Sequence, residues 1–134
     1  MPFADGDDYH PASNVEKMSA GEPLNDADRE PWLDALNALM RDSERAMVIS
    51  CSALRESYRE RVAQAINAVF VYLDVSEEAV LERVKKRDHF FPESLVRDQF
   101  DVLEVPSGQS VIHVDAHKAL ETIVKEVCDQ LAQH

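Results

Sequence analysis

Three short runs rich in β-branched and aromatic residues punctuate the chain, at Ala46–Ser50, Ala68–Val75 and Ser110–Asp115. They are nearly continuous in apolar character rather than alternating, which is the pattern of strands buried on both faces of a parallel sheet. Between them the apolar spacing changes from two to three and four. Trp32, Leu33, Leu36, Leu39 and Met40 form one helical stripe, with Asp28 as the expected cap and Pro31 tolerated inside the first turn. Ser76 followed by Glu77 and Glu78 opens a second helix, whose stripe is Val80, Leu81 and Val84. Leu120, Ile123, Val124, Val127 and Leu131 make a third. Strands alternating with amphipathic helices predict one layered α/β domain over residues 1–134, with right-handed crossovers. A fourth strand is expected at Pro2–Asp5, at the very start of the chain.

The polar stretch from Gly6 to Asp28 carries Pro11, Gly21 and Pro23 and is long for a connection in so small a domain. It is expected to be an ordered binding loop, with Asn14, Lys17 and Met18 on a short helical pitch inside it. The 14 Lys and Arg against 26 Asp and Glu leave a net charge of -12, so long-range repulsion argues against nucleic acid as a partner. No run of 18 apolar residues exists and the first ten residues are acidic, which predicts no membrane partner and a cytoplasmic protein. Cys51 and Cys128, 77 positions apart with no CxxC, are expected to be reduced thiols in packed positions. Only 3 Gly occur where roughly nine are usual. No glycine-rich phosphate loop can be written from them.

Four groups of residues could carry chemistry. Asp5 and Asp7 flank Gly6 at the C-terminal end of the expected first strand, the edge where open α/β sheets bind ligands. One carboxylate could hold a metal or a hydroxyl while the other takes a proton, or both could belong to a solvated acidic turn. Lys17 and Arg29 are cations in an acidic region and suit capture of a small carboxylate, unless they only pair with neighbouring acids. Arg55 and Arg59, four apart on one helix face, are either an anion clamp or solvated charges. Arg83, Lys86, Arg87 and His89 precede Phe90, Phe91 and Pro92, a basic knot that either closes over phosphate or simply ends a helix.

Taken together, four strings resemble the gluconate kinase family of small phosphotransferases: Phe3–Pro11, Asn14–Leu33, Cys51–Arg59, and His89–Phe91 with Gln99–Pro106. They follow in the family's order and cover nearly the whole chain. The resemblance implies a three-layer α/β/α P-loop-kinase fold, a parallel sheet between helices, that transfers the γ-phosphoryl of ATP, with Mg²⁺, to the 6-hydroxyl of D-gluconate. It implies that Asp7 orients and deprotonates the acceptor hydroxyl and that Asp5 helps to hold the metal. It further implies that Lys17, Arg29 and Arg59 grip the sugar acid with His10 close by, and that Arg83, Arg87 and His89 belong to a lid over the nucleotide. Family members are commonly dimers. The spacing from Arg87 to His89 is shorter than the family's. The central first strand, the phosphate loop and the first helix are missing from this sequence, so the chain is expected to be an N-terminally truncated domain with little or no kinase activity by itself. The alternative is a non-catalytic, gluconate-binding or partner-binding remnant of the family.

Overall fold

The computed structural model describes residues 1–86 and 93–133. In chain order it contains β1 (Phe3–Asp5), a 3-10 turn (Gly6–Tyr9), α1 (Ala12–Ser19), α2 (Asp26–Arg41), β2 (Val48–Ser50) and α3 (Glu56–Val62), then β3 (Phe70–Asp74), α4 (Glu77–Lys85), α5 (Glu93–Val102), β4 (Val111–Asp115) and α6 (Leu120–Leu131). The expected order of strands and helices is present. All pairing is parallel: β1 lies on β2 with Ala4 opposite Ile49, and β3 lies on β4 with Tyr72 opposite His113. The two pairs remain separate sheets, because β2 and β3 do not bond to each other.

That separation corrects the expectation that every strand is buried on both faces. Val48 on β2 is 47% exposed and Leu73 on β3 is 53% exposed, whereas Ile112 and Val114 of β4 are buried. An apolar run is buried only where something covers it, and among the described residues no strand covers the second edge of β2 or β3. The same holds for α6. Its stripe is helical as predicted, yet none of its residues is buried and Leu120 is 71% exposed.

The principal core is built by α2 and α3, where Trp32, Leu33 and Leu36 pack with Leu54, Tyr58 and Val62. The helical start of α2 differs from expectation. Asn25 is the cap, accepting from the Asp28 N–H at 2.8 Å, while the Asp28 carboxylate accepts from the Asn25 N–H at 3.0 Å. This reciprocal capping box satisfies two otherwise orphaned donors and moves the helix start back by three residues. Pro31 therefore sits in the second turn rather than the first. Residues 6–28 are not one long loop either, since the 3-10 turn and α1 occupy much of them and Gly21, at φ +79°, ends α1. Cys51 is half-buried and Cys128 exposed, so only the first fits a packed thiol.

Gly6 joins the strand end to the site. A Cβ at this position would lie 2.2 Å from the Ser50 carbonyl oxygen, so no side chain fits while β1 stays paired with β2. Gly6→Ala is expected to cost about 1–3 kcal/mol through overpacking against backbone. Thermal denaturation followed by circular dichroism checks it. An unchanged midpoint would mean that the strand end opens without penalty.

Candidate functional site

The C-terminal ends of β1 and β2, the 3-10 turn and the first turns of α2, with α4 and α5 on the other side, surround a cavity of about 290 Å³, at the small end of ligand pockets. Asp5, Asp7, His10, Arg29, Trp32 and Cys51 are among its lining residues. Four residues singled out in the sequence, Asp5, Asp7, His10 and Arg29, thus come together from positions up to 24 apart.

Asp5 is in place because it ends β1 and caps the turn that follows. Its Oδ1 accepts from the Asp7 N–H at 3.0 Å and from the Ser50 hydroxyl at 3.2 Å, tying both strands to the turn. Asp7 lies one step further on, with its side chain about half exposed and its Oδ1 3.8 Å from His10 Nε2. Arg29 projects from the second turn of α2 and is 7% exposed. Its Nη2 reaches the Leu24 carbonyl only at 3.4 Å, its guanidinium lies 5.1 Å from the centre of the Tyr58 ring, and its buried Nε has no hydrogen-bond partner. Burial disfavours the Arg29 cation, and the nearby Tyr58 and Asp26 partly offset this. Tyr58 is itself held by donating its hydroxyl to Asp26. A buried guanidinium with an unmet donor is costly in the empty site and suited to an incoming anion.

His10 is packed by the residues around it. Its ring stacks on Trp32 at 4.3 Å and 16°, and the Trp32 indole N–H donates to the Gly6 carbonyl at 2.8 Å. Burial and then the Arg29 charge lower its pKa to about 4, so it is neutral at physiological pH. Cys51 is pushed up to about 12 by burial and by Asp7, which keeps it a thiol and removes it as a nucleophile.

The other predicted cations stand elsewhere. Lys17 pairs with Asp28 at 2.8 Å, a bond that raises the Lys17 pKa and lowers that of Asp28, and it does not line the cavity. Arg59 is 4% exposed and donates to the carbonyls of Ala53 at 2.7 Å and Glu104 at 2.8 Å. It lines a second, more apolar cavity, between β3, α5 and residues 51–54. Arg83 donates to the Ala116 carbonyl at 2.7 Å, joining α4 to the end of β4. Arg87 and His89 lie outside the described residues.

Sequence reasoning passed over Asn14 and Trp32 as site residues. Asn14 is 2% exposed and donates from Nδ2 to the Asp28 carbonyl at 2.8 Å and to His10 Nδ1 at 3.2 Å. No local periodicity signals this pair, because His10 and Pro11 are extended and α1 begins only at Ala12, so the contact depends on the path of the chain into the helix. Among the described residues no group of three or more possible metal ligands occurs. Asp5 and Asp7 still fit Mg²⁺, which is commonly held by one or two carboxylates together with water and substrate phosphates.

Parallel strands flanked by helices, with carboxylates and a buried cation sharing a cavity at the strand ends, define an α/β protein with a ligand-sized cavity at the carboxyl edge of its strands. The comparisons narrow the class. The shikimate kinase family model matches residues 1–132. A gluconokinase of Gluconobacter oxydans is 40% identical over 131 residues, covering 93% of this chain and 74% of its own length. The thermoresistant gluconokinase of Escherichia coli is 40% identical over 129 residues, covering 91% and 74%. The crystal structure of a gluconokinase from Sinorhizobium meliloti superposes with a TM-score of 0.88 at 42% identity, over 98% of this chain and 77% of that one. An unliganded sugar kinase from Janibacter gives 0.91 at 33% identity, over 98% and 80%. The chain belongs to the shikimate kinase family of ATP-dependent kinases and has their α/β fold. No helix among the described residues is long and apolar enough to cross a membrane.

Proposed function

We propose that this chain recognises D-gluconate and belongs to a gluconokinase that converts ATP and D-gluconate to ADP and 6-phospho-D-gluconate. The observation that carries this reading is the cavity shared by Asp7 and Arg29, whose buried guanidinium has an Nε without a hydrogen-bond partner. A sugar acid brings a carboxylate for Arg29 and hydroxyls for the acidic end. Asp7 orients the acceptor hydroxyl and takes its proton, a modest contribution to a loose phosphoryl transfer that depends chiefly on alignment and charge neutralisation. Asp5 would help to hold the Mg²⁺ that accompanies ATP and screens its phosphate charge. Lys17 and Arg59 serve gluconate binding from behind the cavity, by fixing α1 to α2 and the segment after β2. Arg83, with Arg87 and His89, belongs to the nucleotide side. A cytoplasmic homodimer, a single domain over residues 1–134 and the absence of nucleic-acid partners complete the reading.

The phosphate-cradling part of such a kinase is not supplied by these 134 residues, which contain no glycine-rich loop. The uncovered edges of β2 and β3, with an apolar cavity beside them, support this. The chain by itself is therefore expected to bind gluconate, to bind ATP poorly and to transfer phosphate far below the ordinary kinase rate of roughly 1–100 s⁻¹. Calorimetry with each ligand separately, followed by a coupled assay for ADP, tests it. Turnover at an ordinary rate would overturn the incompleteness of the ATP site. Absence of gluconate binding would overturn the substrate. Gluconate binding that persists without turnover, even when strand and loop are provided by a relative's fragment, would favour a non-catalytic remnant.

A further inference from the structure

The contacts of His10 fix more than its position. The Asp28 carbonyl can only accept a hydrogen bond, so the Asn14 side-chain atom facing it at 2.8 Å is the amide nitrogen. The same nitrogen lies 3.2 Å from His10 Nδ1. An amide nitrogen only donates, so Nδ1 accepts and the ring's proton resides on Nε2. Stacking on Trp32, itself bonded to the Gly6 carbonyl, holds the plane of the ring, and the Asn14 contact selects its orientation, since the reversed ring would set a carbon against that nitrogen. The side chain is 2% exposed, so water does not take over these roles.

The Nε2–H so fixed lies 3.8 Å from Asp7 Oδ1, too far for a direct hydrogen bond. An oxygen placed about 2.8 Å from each atom, an ordinary hydrogen-bond distance, would subtend an angle of about 85° between them. That separation suits a hydroxyl oxygen held by both groups. We propose that His10 donates its Nε2–H to the substrate hydroxyl whose proton goes to Asp7, with Asn14 and Trp32 as the positioning residues that set the His10 tautomer. This assignment rests on the gluconate reading and adds to it a residue that touches the reacting oxygen.

The roles balance on that oxygen. Its hydrogen points to Asp7, one lone pair accepts from His10, and the second lone pair is left for phosphorus. In the transfer, the oxygen–phosphorus bond forms as the bond from the γ-phosphorus to the bridging oxygen breaks. ADP leaves with that electron pair, and the hydroxyl proton ends on Asp7.

The test uses the 134-residue chain with gluconate and 6-deoxygluconate, which lacks the acceptor hydroxyl. His10→Gln keeps an N–H close to the position of Nε2 and is expected to bind gluconate within about threefold of the parent, whereas His10→Asn, whose amide reaches only as far as Nδ1, should bind it about tenfold more weakly. The Gln and Asn variants should bind 6-deoxygluconate equally well, whatever each loses relative to the parent. A purely structural role for His10 would weaken both ligands together. Two-bond ¹H–¹⁵N correlation spectra of labelled histidine should show the Nε2–H tautomer in the parent, and Asn14→Asp should place a proton on Nδ1. An Nδ1–H tautomer in the parent, or equal gluconate affinity in the Gln and Asn variants, would sink the assignment and leave the gluconate reading standing. If the parent binds neither sugar acid, the gluconate reading falls and the assignment falls with it.

Discussion

Arg29→Met is expected to weaken gluconate binding by about 30-fold or more, since truncating one partner of a buried charge pair removes about 2–5 kcal/mol. The same change should leave the ligand-free protein at least as stable as the parent. The two effects have opposite signs because the guanidinium is poorly served in the empty cavity. It is buried, its Nε has no partner, and its one carbonyl contact is at the long limit of 3.4 Å. Burial already disfavours its charge, and Tyr58, Asp26 and Asp28 compensate only in part. Methionine has a similar length, needs no hydrogen bonds, and can rest against Tyr58. Replacing an unsatisfied buried charge by an apolar group is often neutral or stabilising by about 1–4 kcal/mol. Calorimetry reads the affinity and urea denaturation the stability. A variant that binds gluconate normally would remove Arg29 from recognition. One that is destabilised by several kcal/mol would make Arg29 a structural cation, as Arg59 is.

The contrast between Arg29 and Arg59 shows where the sequence stops being informative. Both are arginines near a helix start, both follow acidic neighbours, and both lie within strings shared with gluconate kinases. What separates them is the direction of the side chain. Arg59 turns toward the carbonyls of Ala53 and Glu104, the second 45 positions away, whereas Arg29 lies along Tyr58 beside the cavity. Long-range carbonyl partners leave no periodic signature. Strand order along the chain and the helices of α2, α4 and α6 were readable because their apolar spacing is local. The exposure of Val48, Leu73 and Leu120 was not, because a pattern specifies which face is apolar and not what covers it. Asp5 and Asp7 were legible as a strand-end pair. Their neighbour His10 entered through the family strings, and the Asn14 amide that orients its ring required coordinates.

Stability is expected to fall by about 3 kcal/mol as pH drops from about 6.5 to about 4, with His10 as the cause. The sign follows from proton counting. Unfolded His10 binds a proton below its ordinary value near 6.5, while folded His10 stays neutral down to about 4. Within that window the unfolded chain holds more protons, so acid favours unfolding, and the loss is complete below the folded value. The cause is burial first and the Arg29 charge second. Asp7, 3.8 Å away, is the acid that faces the ring from its own turn, and it does not outweigh them. Set against a typical total of about 5–15 kcal/mol, this one group removes a substantial share of the folding free energy. The carboxylates with lowered values, Asp28, Asp34 and Asp115, act in a different window, giving up their contributions only as pH falls below their ordinary range near 3.8. Urea denaturation at several pH values across the His10 window measures the slope. His10→Gln, which cannot titrate, should flatten it, and a variant that keeps the parent's slope would place the acid sensitivity in some other group.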